Sequence, residues 1–299
     1  MGARVESCVW CGAPLRDGQH LAGRTRCRAC GVATTDPWPT AEELDAAYGA
    51  WYRPPSGRFG GLGDAALRRS RAALARRLDR IAPPGRVLDV GAGEGALLDG
   101  LRRRGREAAG LERTATRPDV AERELEEVEG EWGAIVFWHS LEHLPEPAAA
   151  LERAAGLLVP GGVIVVAVPN SDSLQARAFG DCWLALDLPR HLVHLTSRAL
   201  RRRLEGLGLR VERVSYVRGG QVVFGWLDGF LASLPGRVSL YDAIRRPEAR
   251  FRPLTPARRA GALLAAALLL PVALAAAALE AVARRGGTVY VEARSPDGR

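Results

Sequence analysis

Short apolar runs alternate with amphipathic stretches through the middle and end of the chain. Arg86–Val90, Glu107–Glu112, Ala134–Trp138, Val163–Val168, Arg210–Val217 and Thr288–Ala293 have the length and β-branched content of strands. Between them, 95–104, 146–158, 173–179 and 197–207 space their apolar residues as helices do. Strands alternating with helices predict βαβ units and a doubly wound α/β fold with a mostly parallel sheet. Upstream, Leu67, Leu74, Leu78 and Ile81 share one face of a helix predicted over 64–81, with arginines opposite. A shorter helix is predicted over 41–48, and the Gly- and Pro-rich segment 53–63 reads as a linker.

The stretch 260–283 breaks this pattern, being almost wholly apolar between Arg258, Arg259 and Arg284, Arg285. Its length suffices for a membrane span of about 20 residues. Alanine dominates it, however, and Pro271 interrupts it. A single span would also strand Thr288–Ala293 on the far side of the bilayer, away from the sheet it must complete. A helical insertion before the last strand is therefore expected, buried or lying on a bilayer surface.

At 299 residues and 47% hydrophobic content, the chain has room for one full α/β domain and a small extra module. Its net charge of +8 invites a nucleic-acid reading. All of the basic residues are arginines, spread along amphipathic helices as in Arg68, Arg69, Arg76, Arg77 and Arg201 to Arg203. Solvated helix faces account for them, and nucleic acid is not an expected partner.

Four of the five cysteines form two pairs, Cys8-x2-Cys11 and Cys27-x2-Cys30, the spacing of a four-thiolate zinc site. Four thiolates leave no open position on the metal, so a structural Zn²⁺ is expected. Residues 1–10 lack a secretory pattern, so a reducing, cytoplasmic location is expected, where paired cysteines hold metal. Cys182 reads as a packed residue.

The strand ending at Val90 runs into Gly91-Ala92-Gly93-Glu94-Gly95 and then a helix, while Glu112 ends the second strand. Such a loop lets the backbone approach a ligand, and such an acid accepts from two ribose hydroxyls. Both features fit a dinucleotide as well. Asp89 separates the readings, because a carboxylate would repel a pyrophosphate but suits a sulfonium cofactor with an amino group.

With WHSLEHLPEP at 138–147, LLVPGG at 157–162 and VPN at 168–170, this LDVGAGEG loop resembles the successive motifs of class I S-adenosylmethionine-dependent methyltransferases. The segment 181–196, DCWLALDLPRHLVHLT, is similar to a zinc-ribbon-bearing subgroup near the quinone-biosynthesis methyltransferases. The resemblance covers 86–217 and implies a Rossmann-like seven-stranded sheet with its last strand antiparallel. It implies that Asp89, Gly91, Gly93 and Gly95 line the cofactor beside Trp138, with Glu112 on the ribose. The family has a helix and a strand between Glu112 and the fourth strand, ending in an Asp at the adenine. Here 113–132 is too short for both, and Glu124 aligns with that Asp.

All of the histidines but His20 fall in two stretches. His139, Glu142 and His143 at i, i+3 and i+4 share one face of a helical turn. His191 and His194 follow Pro189-Arg190. By the resemblance both stretches border the acceptor. His143 or His191 could serve as general base, or His139, Glu142 and His143 could hold a divalent metal. A capping role for Glu142 and His143 stays open. Tyr48, Trp51 and Tyr52 either cover the cofactor or pack helix against linker.

The expected organisation is a zinc-ribbon module at 1–36, linker and N-terminal helices at 37–82, and a methyltransferase core at 83–217. A helical insertion at 218–285, on the acceptor or membrane-surface side, precedes the last strand and tail at 286–299. The expected function is O- or C-methylation of a small-molecule acceptor, hydrophobic if the insertion lines its pocket. An RNA methyltransferase and a non-catalytic partner protein that keeps the fold are the alternatives.

Overall fold

The computed structural model describes residues 2–49, 51, 52, 54, 57–115, 117–217 and 220–297. Three short strands, β1 (Gln19–Leu21), β2 (Arg24–Arg26) and β3 (Ala33–Thr35), lead into helices α1 (Ala41–Ala47) and α2 (Gly61–Ile81). Thr40 opens α1 in a reciprocal capping box with Glu43. Pro83-Pro84-Gly85 then stops α2 and the core begins.

The core follows as β4 (Val87–Val90), α3 (Ala96–Arg102), β5 (Ala108–Leu111), β6 (Val120–Ala121), β7 (Trp132–Trp138), α4 (Pro147–Gly156) and β8 (Leu158–Pro169). Next come α5 (Leu174–Phe179), β9 (Val193–His194), α6 (Ser197–Gly206) and β10 (Arg210–Ser215). Helices α7 (Gly220–Ser233), α8 (Leu240–Ile244) and α9 (Pro256–Val282) precede the final strand β11 (Thr288–Arg294).

The main sheet has seven strands in the order β10-β11-β8-β7-β4-β5-β6. Its β8, β7, β4, β5 and β6 are parallel, and β11 inserts antiparallel between β8 and β10. The central strands are apolar on both faces because helices cover both. Thus β7 is buried at every position.

Three sequence expectations change. β8 starts at Leu158 rather than Val163, because a bulge opposite Gly133 carries the pairing back across Pro160-Gly161 to Trp132. Between Glu112 and β7 the family's helix is gone, but its strand survives as the two-residue β6, paired parallel with Gly110 and Leu111. Arg117 holds the shortened loop, bridging Asp99 and Asp119 at 2.9 Å each. Finally, Pro271 lies inside α9 without ending it.

The cysteine segment shares a sheet with the core. In the order β1-β2-β3-β9, β3 pairs with Val193 and His194 of the core. Thr35 donates its hydroxyl to the His191 carbonyl at 2.6 Å and its N–H to the Leu192 carbonyl at 2.9 Å. Arg24 adds an ion pair with Asp181 at 3.3 Å. The strand carrying His194, and His191 just before it, are therefore positioned by the cysteine segment.

Candidate functional site

The β4 strand delivers its loop at the carboxyl edge of the sheet, where open α/β folds bind ligands. Gly91 sits at φ +85°, and a Cβ there would lie 2.5 Å from the Ser140 Cβ, so no larger residue fits. Gly93 and Gly95 also have positive φ, and Gly95 opens α3. The Gly93 N–H donates to Glu112 Oε2 at 2.7 Å, which sets the second-strand acid against the loop.

Asp89 is buried in β4, and its Oδ1 has no hydrogen-bond partner. Burial pushes its carboxyl up to about 7, against the pull of the Arg71 charge and with Glu112 adding to the rise. Arg71, from α2, also lies 4.9 Å from the centre of the Trp138 ring. Sequence reasoning missed Arg71, because nothing distinguishes it from the other arginines of that helix. Glu124 stands exposed at the head of a short turn, 125–127.

Ser140 joins this loop to the histidine turn, its hydroxyl donating to the Val90 carbonyl. His139 turns the chain at φ +53°, and residues 141–143 form a single 3-10 turn in place of the expected α-helical one. Glu142 is 1% exposed, and neither carboxylate oxygen is held in a well-formed hydrogen bond. Burial opposes its ionisation, but the surrounding His139, His143 and His191 outweigh burial and hold the carboxyl below its usual range.

The structure brings His191 into this group: the ligand atoms of Glu142, His143 and His191 lie within 4.8 Å of one another. The rings of His143 and His191 meet edge to face at 4.7 Å. His143 Nδ1 lies 2.9 Å from the Arg190 carbonyl, and His191 Nδ1 lies 3.0 Å from the Ala185 carbonyl. A carbonyl only accepts, so each Nδ1 carries a proton and each Nε2 is turned to the other side of its ring. His191 Nε2 is 3.9 Å from Glu142 Oε1 and 3.6 Å from Asp187 Oδ2. Burial, reinforced by the His191 charge, lowers His143 to about 4, so it is neutral at pH 7.

His139 stands apart from that trio. Its Nδ1 lies 3.4 Å from Glu142 Oε1, and its Nε2 is buried without a partner. His194 faces the other way, with Nε2 at 3.2 Å from the Thr35 hydroxyl. Tyr48 sits outside the cluster with its hydroxyl 2.9 Å from His143 Nδ1, and Arg190 stacks on the Trp51 and Tyr52 rings. These aromatic residues therefore pack at the histidine cluster.

At the N-terminus, Cys8 and Cys30, and likewise Cys11 and Cys27, hold their Sγ atoms 3.7 Å apart. That is far too long for a disulfide of about 2.05 Å. It matches the edge of a tetrahedron of sulfurs about 2.3 Å from a central ion. Both knuckles close alike, Gly12 N–H donating to the Cys8 carbonyl and Gly31 N–H to the Cys27 carbonyl.

Comparison with known proteins decides the family. A family model described as a methyltransferase domain matches residues 65–214, half of the chain. The chain belongs to this methyltransferase family. Its class I core is related to quinone-biosynthesis methyltransferases. A ubiquinone biosynthesis O-methyltransferase of Alkalilimnicola ehrlichii is 32% identical over 103 residues, 28% of this chain and 42% of that protein. The enzyme of the same description from Xanthomonas axonopodis pv. citri is 27% identical over 161 residues, 46% of this chain and 67% of that protein. The chain spans less than half the length of the first relatives it matches. Among solved structures, the 1,6-didemethyltoxoflavin-N1-methyltransferase of Burkholderia thailandensis aligns at TM-score 0.48 and 15% identity, covering 94% of this chain and 99% of that one.

Proposed function

We propose that this methyltransferase transfers a methyl group from S-adenosylmethionine to a hydroxyl of a small-molecule acceptor. The observation carrying this reading is Ser140, which links the cofactor loop to the histidine turn through the Val90 carbonyl and places the two groups side by side. Bound S-adenosylmethionine supplies an electrophilic methyl on a cationic sulfur. Gly91, Gly93 and Gly95 admit it, Asp89 and Arg71 meet the charges of its methionine end, and Glu112 releases Gly93 to take the ribose hydroxyls. Trp138 and Glu124 border the same pocket on this reading.

Methyl transfer is a direct displacement, so the chain's own work is alignment and proton removal. His139 takes the acceptor proton at Nε2, with Glu142 steadying its Nδ1. The remaining donors, Glu142, His143 and His191, fit a divalent cation. A buried carboxylate with an oxygen left unsatisfied and two imidazoles anchored on backbone carbonyls form such a donor set. When bound, the cation would stabilise the acceptor as its oxyanion. The cysteine quartet holds a structural Zn²⁺ on the same reading.

Titration calorimetry should show saturable S-adenosylmethionine binding. His139→Ala should leave that affinity unchanged and lower turnover by roughly 10²–10⁴-fold, the usual cost of losing a general base. Mn²⁺, followed by electron paramagnetic resonance, should bind the wild type and be lost in Glu142→Gln and His191→Ala. Mn²⁺ binding that persists in both variants would remove the cation site, and preference for NAD over S-adenosylmethionine would remove the cofactor reading.

A further inference from the structure

Among the described residues α9 is the one helix long and apolar enough to cross a membrane, with a mean hydropathy of 2.5 and 17% of its most apolar window buried. It is fixed to the protein along a single stripe. Ala262, Ala266, Ala273 and Ala277 pack against α7 and α8, and Glu280 accepts from Gln175 at 2.8 Å and from the Trp226 indole at 3.0 Å. At its start, Arg259 donates to the Ala243 carbonyl at 2.8 Å, and past its end β11 returns into the main sheet. A helix bonded to one body along its length and at both ends cannot traverse a bilayer.

The rest of its circumference is apolar and open. Leu264 is 64% exposed, Leu268 73% and Leu279 62%, and no charged residue lies between Arg259 and Glu280. At about 1.5 Å per residue, the uncharged stretch 260–279 of this helix presents an apolar ridge roughly 30 Å long. A second, separate feature lies at its C-terminal end. A cavity of 360 Å³ there is lined by Arg198, Arg201, Arg202, Arg284 and Arg285, against the two carboxylates Asp172 and Glu205. Arg258 and Arg259 flank the other end.

We propose that α9 docks this protein on an anionic membrane surface, its outward face in the lipid and its arginine-lined cavity among the phospholipid headgroups. Charge complementarity selects this occupant. A basic helix with an apolar face suits the interface of an acidic bilayer. A second copy suits it poorly. Two α9 helices side by side bring Arg258 and Arg259 onto Arg284 and Arg285 when antiparallel, and onto their own counterparts when parallel, like charge on like charge.

The test is flotation of the full-length protein with vesicles of phosphatidylcholine alone or mixed with phosphatidylglycerol. Binding is expected only to the mixed vesicles and should weaken as salt is raised. Arg284→Glu with Arg285→Glu should lower partitioning by about fivefold or more per arginine removed. Leu264→Glu with Leu268→Glu should abolish it while leaving the melting temperature and S-adenosylmethionine binding as in the wild type. Where that pair perturbs folding, Leu264→Ser with Leu268→Ser serves instead, with a smaller loss of the same sign. Absence of binding to mixed vesicles would overturn the proposal, and so would equal binding to both kinds. A stable dimer in light scattering that Leu268→Glu dissolves would also overturn it, assigning the face to a second copy. None of these measurements depends on methyl transfer.

Discussion

Replacing Cys27 and Cys30 by Ser should abolish zinc binding and also weaken the Glu142–His143–His191 cluster, far from the cysteines in sequence. The route is physical. Zinc binding free energy is folding free energy for a small segment of this kind, and that segment supplies β3, whose neighbour β9 begins two residues after His191. Once the knuckles open, Thr35 no longer holds the His191 and Leu192 carbonyls. The chain should lose several kcal/mol, a fall in melting temperature on the order of 10 °C. Mn²⁺ binding should drop with it, while S-adenosylmethionine, held by the β4–α3 loop, should still bind. Metal analysis, thermal melts and the resonance signal test this together. Intact Mn²⁺ binding in a zinc-free variant would show the cysteine segment to be an independent appendage.

Asp89→Asn should stabilise the protein without cofactor at pH 8 and impair the binding of S-adenosylmethionine. Buried without a hydrogen bond on Oδ1, Asp89 titrates in the folded chain at about 7, whereas an unfolded Asp titrates at about 3.9. Between those values the native state holds the extra proton, so stability falls as pH rises from about 4 to about 7. The loss is on the order of a few kcal/mol, since each unit of difference is worth about 1.4. Asn carries no such proton and should flatten the curve across that window. A cationic methionine end selects the ionised carboxylate, so wild-type affinity should rise with pH through neutrality, and the variant's should not. Losing a charge-assisted contact should raise the dissociation constant by roughly 10- to 100-fold. Melts and calorimetry at pH 5 and pH 8 separate the two effects. A variant that melts like the wild type at both pH values would refute the buried, strained carboxyl.

Much of this could be read from the sequence because it is local. Strand and helix periodicities, the glycines after β4, the cysteine spacing and Glu112 each report chemistry within a few residues. That the last strand returns to the main sheet also followed from it, since β11 could not do so across a membrane; its place between β8 and β10 came from the structure. Long-range partnerships had to come from the tertiary structure. His191 joins Glu142 and His143 because the chain turns back at Asp187-Leu188-Pro189-Arg190, which no spacing encodes. Ser140 and Arg71 were invisible for the same reason: one acts by touching Val90, the other by reaching from α2 to Asp89 and Trp138. The sequence determined that an apolar helix precedes the last strand. Which side of it stays bare was decided only by packing, because alanines on one stripe meet α7 and α8 while Leu264, Leu268 and Leu279 on the far side stay exposed.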